Sequence, residues 1–196
     1  MTVDPGLRER KKLATRSALT TAALQLAAER GIDAVTAEDV AAAAGVSTRT
    51  FFNYFATKEQ AFVADDVERG RRFLAAVQQA DDDAPLWPLM RHVAHEVLAA
   101  PDLPTREQAL KEQLVRTDPR VQAEVLATFA QLEEELVVEL LCRAPADGPL
   151  HARLLANAVL AAIRSATETW LSPDAGGRTF PDLLDEAFTV LAPAFP

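Results

Sequence analysis

Cysteine is nearly absent from this chain of 196 residues: a single one, Cys142, excludes an internal disulfide and any cysteine-rich metal site. Histidine is almost as scarce, with only His92, His95 and His151. His92 and His95 share a helical face and Glu96 lies four residues beyond His92, a set that suits either a metal site or solvated, hydrogen-bonded side chains. No Glu-x-x-His pair occurs, which disfavours a di-iron carboxylate bundle. Gly-x-Gly-x-x-Gly, a Gly-Lys-Ser/Thr phosphate loop and Gly-x-Ser-x-Gly are all missing, so nucleotide-cofactor and acyl-transfer chemistry have no anchor. An enzyme is a poor fit, and no cofactor is expected. Long apolar runs are missing too. The longest, Leu154 to Ile163, is about half of what a membrane span needs. The start, MTVDPGLRERKK, has basic residues with no apolar stretch behind them, unlike a secretory signal. A cytoplasmic protein without a membrane partner is expected. Sustained period-two patterns of β-branched residues, the mark of strands, are likewise absent.

What remains is a chain rich in alanine and leucine, 49% apolar and 25% charged, with enough apolar content for a sizeable core. The net charge of -9 is unevenly placed. Residues 1–60 carry eight Lys/Arg against seven Asp/Glu, or +1; residues 61–196 carry twelve against twenty-two, or -10. Arg8, Arg10, Lys11, Lys12 and Arg16 cluster at the front, so a polyanionic partner is expected to meet that end.

Caps and breakers predict the helices. One runs from about Leu7 to Arg30 and stops at Gly31. Thr36 caps a short one, Ala37 to Ala44, with Glu38 and Asp39 at its positive end. Gly45 supplies a turn, and Ser47 caps a third to about Phe55. Thr57 and Gln60 form a capping box for a longer helix reaching about Ala80. After Asp81-Asp82-Asp83, Pro85 opens a helix ending near Ala100, and Thr105 with Gln108 caps another to about Arg116. Asp118-Pro119 starts a long helix to about Ala144, Gly148-Pro149 opens one to about Leu171, and Pro181 opens the last, to about Ala192.

The stretch TAEDVAAAAGVSTRTFFNYFATK, Thr36 to Lys58, fits two short helices joined by a tight turn, the arrangement that lets the second enter the DNA major groove. Arg49 and Asn53 lie four apart on one face, and both suit bidentate contacts to base edges. Ser47, Thr48 and Thr50 suit phosphate contacts, as do exposed amides at the helix start. Phe51 and Phe55 have core spacing, while Phe52 and Tyr54 either pack inward or line the DNA backbone. Lys58 has the wrong sign for a helix start, which a solvated side chain or a phosphate partner would explain.

At these residues the chain resembles the TetR family of bacterial transcriptional regulators. The likeness covers Leu19 to about Phe62: Ala22-Ala23, AERG at Ala28–Gly31, the capping Thr36, Asp39-Val40-Ala41, Ala44-Gly45-Val46-Ser47 and RTFFNYFATKE at Arg49–Glu59. The resemblance implies an all-α fold: a three-helix DNA-binding head with a helix-turn-helix (residues 1–56) and a six-helix ligand-binding and dimerisation bundle (57–196), with helix 57–80 connecting them. It implies a repressor that binds near-palindromic operator DNA as a homodimer built on the last two helices. Thr36, Thr48, Tyr54 and Lys58 become backbone contacts, and Arg49, Thr50 and Asn53 groove-facing residues. Three positions depart from the family pattern. Ala27 replaces a large aromatic, Ala56 replaces a proline, and Phe52 stands where tyrosine is frequent, removing a hydroxyl contact to phosphate.

The run Leu114 to Leu140 and the helix ending at Trp170 resemble regulators of the mycofactocin-system type, which implies a largely apolar, acyl-CoA-like effector. Trp87, Met90, Phe129 and Trp170 are candidates for lining its pocket, although their helical spacing fits plain core better. The rival class is a helical ligand-binding or adaptor protein that keeps the head without using DNA.

Overall fold

The computed structural model describes residues 6–99, 109, 113 and 117–195. Nine α-helices and no strand occur among them: α1 (Leu7–Arg30), α2 (Ala37–Ala43), α3 (Thr48–Phe52), α4 (Lys58–Phe62), α5 (Ala64–Gln79), α6 (Leu86–Leu98), α7 (Pro119–Arg143), α8 (Gly148–Leu171) and α9 (Phe180–Leu191). The all-helical expectation holds, and most ends fall where caps placed them. The helix expected from Thr105 to Arg116 lies outside the described residues, apart from isolated positions.

Two expected helices are different. The third stops at Phe52, because the amides of Tyr54 and Phe55 both turn onto the Phe51 carbonyl and tighten the chain. The expected continuous helix from Thr57 to Ala80 is broken at Val63 into α4 and α5. Ala61, Phe62, Val63 and Ala64 are all buried in one core. Four consecutive helical residues sweep through roughly 300°, so a straight helix cannot turn them all to the same side, and the break re-aims the chain.

The contacts divide the chain into two compact units, residues 1–67 with 110–126 and residues 68–109 with 127–196. In the first, Leu19, Ala23, Val40, Phe51 and Phe55 pack together with Ala61–Ala64 and with Val121 from the start of α7. This core runs past residue 56, the boundary expected for the head, since Phe62 and Val63 belong to it. Ala27 lies in it as well. Asp118 opens α7 by accepting the Arg120 amide at 2.8 Å. Arg120 also bonds the Asp118 side chain at 2.7 Å and Asp33 at 2.6 Å. The Arg120 hydrogen bond holds the Asp118 carboxyl down at about 2.

In the second unit, Phe73 and Val77 of α5, Met90 and Val93 of α6, Leu136 and Leu140 of α7, Leu155 and Val159 of α8, and Leu184 and Phe188 of α9 share one core. The side chain of Arg143, only 3% exposed, crosses to the end of α5. Thr179 and Asp182 form a reciprocal capping box at the start of α9. Among the described residues no helix is long and apolar enough to cross a membrane.

Candidate nucleic-acid interface

The interface is built around the turn between α2 and α3. Thr36 opens α2 through a capping box: its hydroxyl accepts the Asp39 amide at 3.1 Å, and the Asp39 carboxylate accepts the Thr36 amide at 3.0 Å. The Thr36 hydroxyl also donates to that carboxylate at 2.7 Å, and these bonds from Thr36 hold the Asp39 carboxyl below its ordinary pKa. At the other end, the Gly45 amide bonds the Ala42 carbonyl at 3.1 Å and the Val46 amide bonds the Ala41 carbonyl at 2.9 Å. This is a Schellman closure, which requires a left-handed residue at Gly45, here at φ +70°. A Cβ placed there would meet nothing within 4 Å. Glycine is therefore needed for its backbone conformation alone. Val46 packs against the core and fixes the direction in which the chain leaves the turn.

Ser47 then caps α3, accepting the Thr50 amide at 3.1 Å, and its hydroxyl lies 2.8 Å from that of Thr50. The helix has two distinct faces. Phe51, fully buried, and Phe55, 3% exposed, anchor it, with ring centroids 5.6 Å apart. The Arg16 guanidinium covers Phe55 at 5.3 Å. Arg49, Phe52 and Asn53 are exposed on the opposite side, and Thr48 and Thr50 are half-buried. The two aromatics left open by the sequence separate here: Tyr54 is half-buried against the core, whereas Phe52 is turned to solvent.

Lys58 is engaged within the head through two of its three N–H groups. Its ammonium donates to the carbonyls of Ile32 at 2.8 Å and Val35 at 2.7 Å, in a part-buried position. Reaching back to these oxygens takes the charge away from the positive start of α4, which resolves the misfit with the helix dipole. Gln60 likewise departs from the expected box: its amide nitrogen position is capped by Thr57 at 3.3 Å, but its side chain accepts from Ala56 rather than Thr57. Lys58→Met is expected to lower head stability by about 1.5–3 kcal/mol, the value of a charged hydrogen-bonding group. Thermal unfolding checks this; an unchanged melting temperature would show that the two carbonyls do not need it.

Of the four candidate pocket residues, Trp87 and Met90 share the core of the second unit and Trp170 packs against it, whereas Phe129 does not join them. Met90 is fully buried in the core of the second unit. Trp87 stacks on Phe195 at 4.9 Å and donates to the Phe188 carbonyl at 3.2 Å. Trp170 packs on Phe180 at 5.7 Å, and Phe129 is half-buried elsewhere on α7. Among the described residues, two surface depressions stand out. One, of about 590 Å³, lies between α6 and α9 and is lined by Trp87, Arg91, His95 and Asp185 among others. The other, of about 440 Å³, lies between α8 and α9 along Ala161, Ser165, Ala187 and Val190. His92 sits 3.9 Å from Glu96 with both exposed, and His95 sits 2.9 Å from Asp185. Burial tends to raise the Asp185 carboxyl, but hydrogen bonding from Arg91 and the charges of His95 and Arg91 bring it below its ordinary value.

Residues 19–64 match the family described as "Bacterial regulatory proteins, tetR family", and residues 84–196, more than half of the chain, match the MftR C-terminal domain. The chain belongs to the TetR family. The Streptomyces glaucescens HTH-type transcriptional regulator TcmR is 40% identical over 74 residues, which are 38% of this chain and 33% of that relative. The matched stretch thus spans about a third of TcmR's length. Solved structures share the fold over nearly the whole chain. One from Syntrophomonas wolfei, assigned to the TetR family, has a TM-score of 0.64 at 18% identity, covering 93% of this chain and 95% of its own. A transcriptional regulator from Rhodococcus has a TM-score of 0.55 at 20% identity, covering 92% and 95%. The TetR match spans the turn at Gly45 and all of α3. The MftR match spans the helices from α6 onward, where the sequence resemblance to mycofactocin-type regulators also lay.

Proposed function

We propose that this TetR-family protein is a cytoplasmic, ligand-responsive repressor that binds a near-palindromic operator as a homodimer. The observation that carries the reading is the two-faced α3. Phe51 and Phe55 seat it in the core, the closure at Gly45 aims it, and Arg49 and Asn53 stand outward where a major groove would meet them. Thr36, Ser47, Thr48, Thr50 and Tyr54 flank that face as phosphate contacts, and Lys58 has a third N–H for one. Dimerisation would use α8 and α9. Leu150, Leu154 and Val190 are 71%, 55% and 71% exposed, a cost in water that a second copy would relieve. The effector would be a largely apolar small molecule of acyl-CoA-like character held in the second unit, in keeping with the MftR C-terminal match.

Selection of a random duplex pool by the full-length protein tests this. The expected product is an inverted repeat with half-sites centred roughly 34–36 Å apart, one DNA turn. A pool that remains random after repeated rounds would favour the adaptor reading, in which the head is kept without use on DNA.

A further inference from the structure

We infer that Phe52 is a base-reading residue, which selects thymine by covering its 5-methyl group. The inference rests on the reading of α3 as the groove-facing helix and deepens it. Three side chains stand outward on α3 and its C-cap, which keeps helical backbone angles: Arg49, Phe52 and Asn53. At about 100° per residue, Phe52 and Asn53 fall on either side of Arg49, so the three share one face about 100° wide. Two of them are polar forks. The third is a phenyl ring 53% exposed to solvent, although two neighbouring phenylalanines, Phe51 and Phe55, are almost completely buried. Exposure is therefore not forced by a lack of core; the helix has placed one aromatic outside. The ring is also held in position. It packs edge-on against the buried Phe51, with centroids 5.4 Å apart and planes at 88°, and phenylalanine has only two side-chain torsions to order on binding.

A phenyl ring has no hydrogen-bonding group for a phosphate or for a purine edge. Of the groups that the major groove displays, only the thymine methyl is apolar, and contact with it is what an aliphatic or aromatic side chain can contribute to direct readout. Asn53, on the same face, suits the N6/N7 edge of adenine. Together the pair assigns a preference for an A·T-containing step beneath the end of α3, with Phe52 covering the methyl.

The test uses full-length protein and the duplex that it selects from a random pool. Each thymine of that duplex is replaced in turn by deoxyuridine, which removes the methyl and leaves base pairing intact. In the wild type, one thymine per half-site is expected to be methyl-sensitive. Its replacement weakens binding about fourfold, the factor corresponding to ~0.8 kcal/mol for one buried methyl, and replacement in both half-sites weakens it about fifteenfold. Phe52→Ala should abolish that sensitivity, and Phe52→Leu, which keeps an apolar side chain, should retain part of it. Methyl sensitivity that persists in Phe52→Ala, or a selected duplex with no methyl-sensitive thymine, overturns the assignment while leaving operator binding standing. A pool that stays random overturns the operator-binding reading itself, and this assignment with it.

Discussion

Arg143→Ala is expected to lower the stability of the protein by about 3–5 kcal/mol, the cost of removing one partner from a buried charged network. The guanidinium closes the open end of α5. It donates to the carbonyls of Val77 at 2.6 Å, Ala80 at 3.2 Å and Asp81 at 3.0 Å, and to the Glu139 carboxylate at 2.9 Å. The last carbonyls of a helix have no partner within it. Here the bonds to Val77 and Ala80 are part-buried, around a side chain that is 3% exposed, so water has little access to them. The truncation would therefore remove the guanidinium from Ala80 and strand Glu139, itself 18% exposed, while the carbonyls of Val77 and Asp81 keep the amides of Ala80 and Ala84. For a chain of this size such a loss lowers the melting temperature by roughly 6–20 °C. Glu139→Gln, which keeps an acceptor, should cost clearly less. Arg91→Ala removes a guanidinium 48% exposed, bonded to an Asp185 that is 45% exposed, and should cost under about 1 kcal/mol. A shift below about 2 °C for Arg143→Ala, or one no larger than that for Arg91→Ala, would show that this end of α5 does not depend on the guanidinium.

Arg143 also marks where sequence reasoning stops. Features written in adjacent residues were legible. Gly45-Val46-Ser47 encodes a left-handed closure, an apolar plug and a cap within three positions, and α7 and α8 start at or beside the prolines that announced them. The buried pair Phe51 and Phe55 followed from spacing. Features that depend on distant partners were not. Lys58 bonds carbonyls 26 and 23 residues earlier, and Arg143 bonds carbonyls 62 to 66 residues earlier. Nothing around Val63, neither glycine nor proline, announces the break there; the common burial of Ala61–Ala64 does. Periodicity similarly identified Trp87 and Met90 as facing inward, but a hydrophobic period carries no information on whether a side chain meets a ligand or another side chain. The structure places Met90 entirely among side chains.

Arg49→Ala is expected to erase most of the discrimination between operator and random DNA while leaving the fold unchanged. Arg49 is exposed, lies on the outward face of α3 with Phe52 and Asn53, and shows no side-chain partner among the described residues that its removal would orphan. A bidentate contact between arginine and guanine is worth about 1–3 kcal/mol of base discrimination. A homodimer makes the contact twice at sites too far apart to interact, so the losses add. The combined loss is about 2–6 kcal/mol, or roughly 30-fold to 10⁴-fold in the ratio of operator to random affinity. The nature of the contact separates it from simple charge attraction. Arg49→Lys keeps the charge but replaces the planar fork by a single ammonium, so it should recover affinity for random duplex and little of the discrimination. Binding isotherms on the selected operator and on a scrambled duplex, at two salt concentrations, give all of these quantities. An operator-to-random ratio that survives Arg49→Ala would show that α3 reads the groove through other side chains; full recovery of the ratio by lysine would show that Arg49 acts on phosphates, as a charge rather than as a fork.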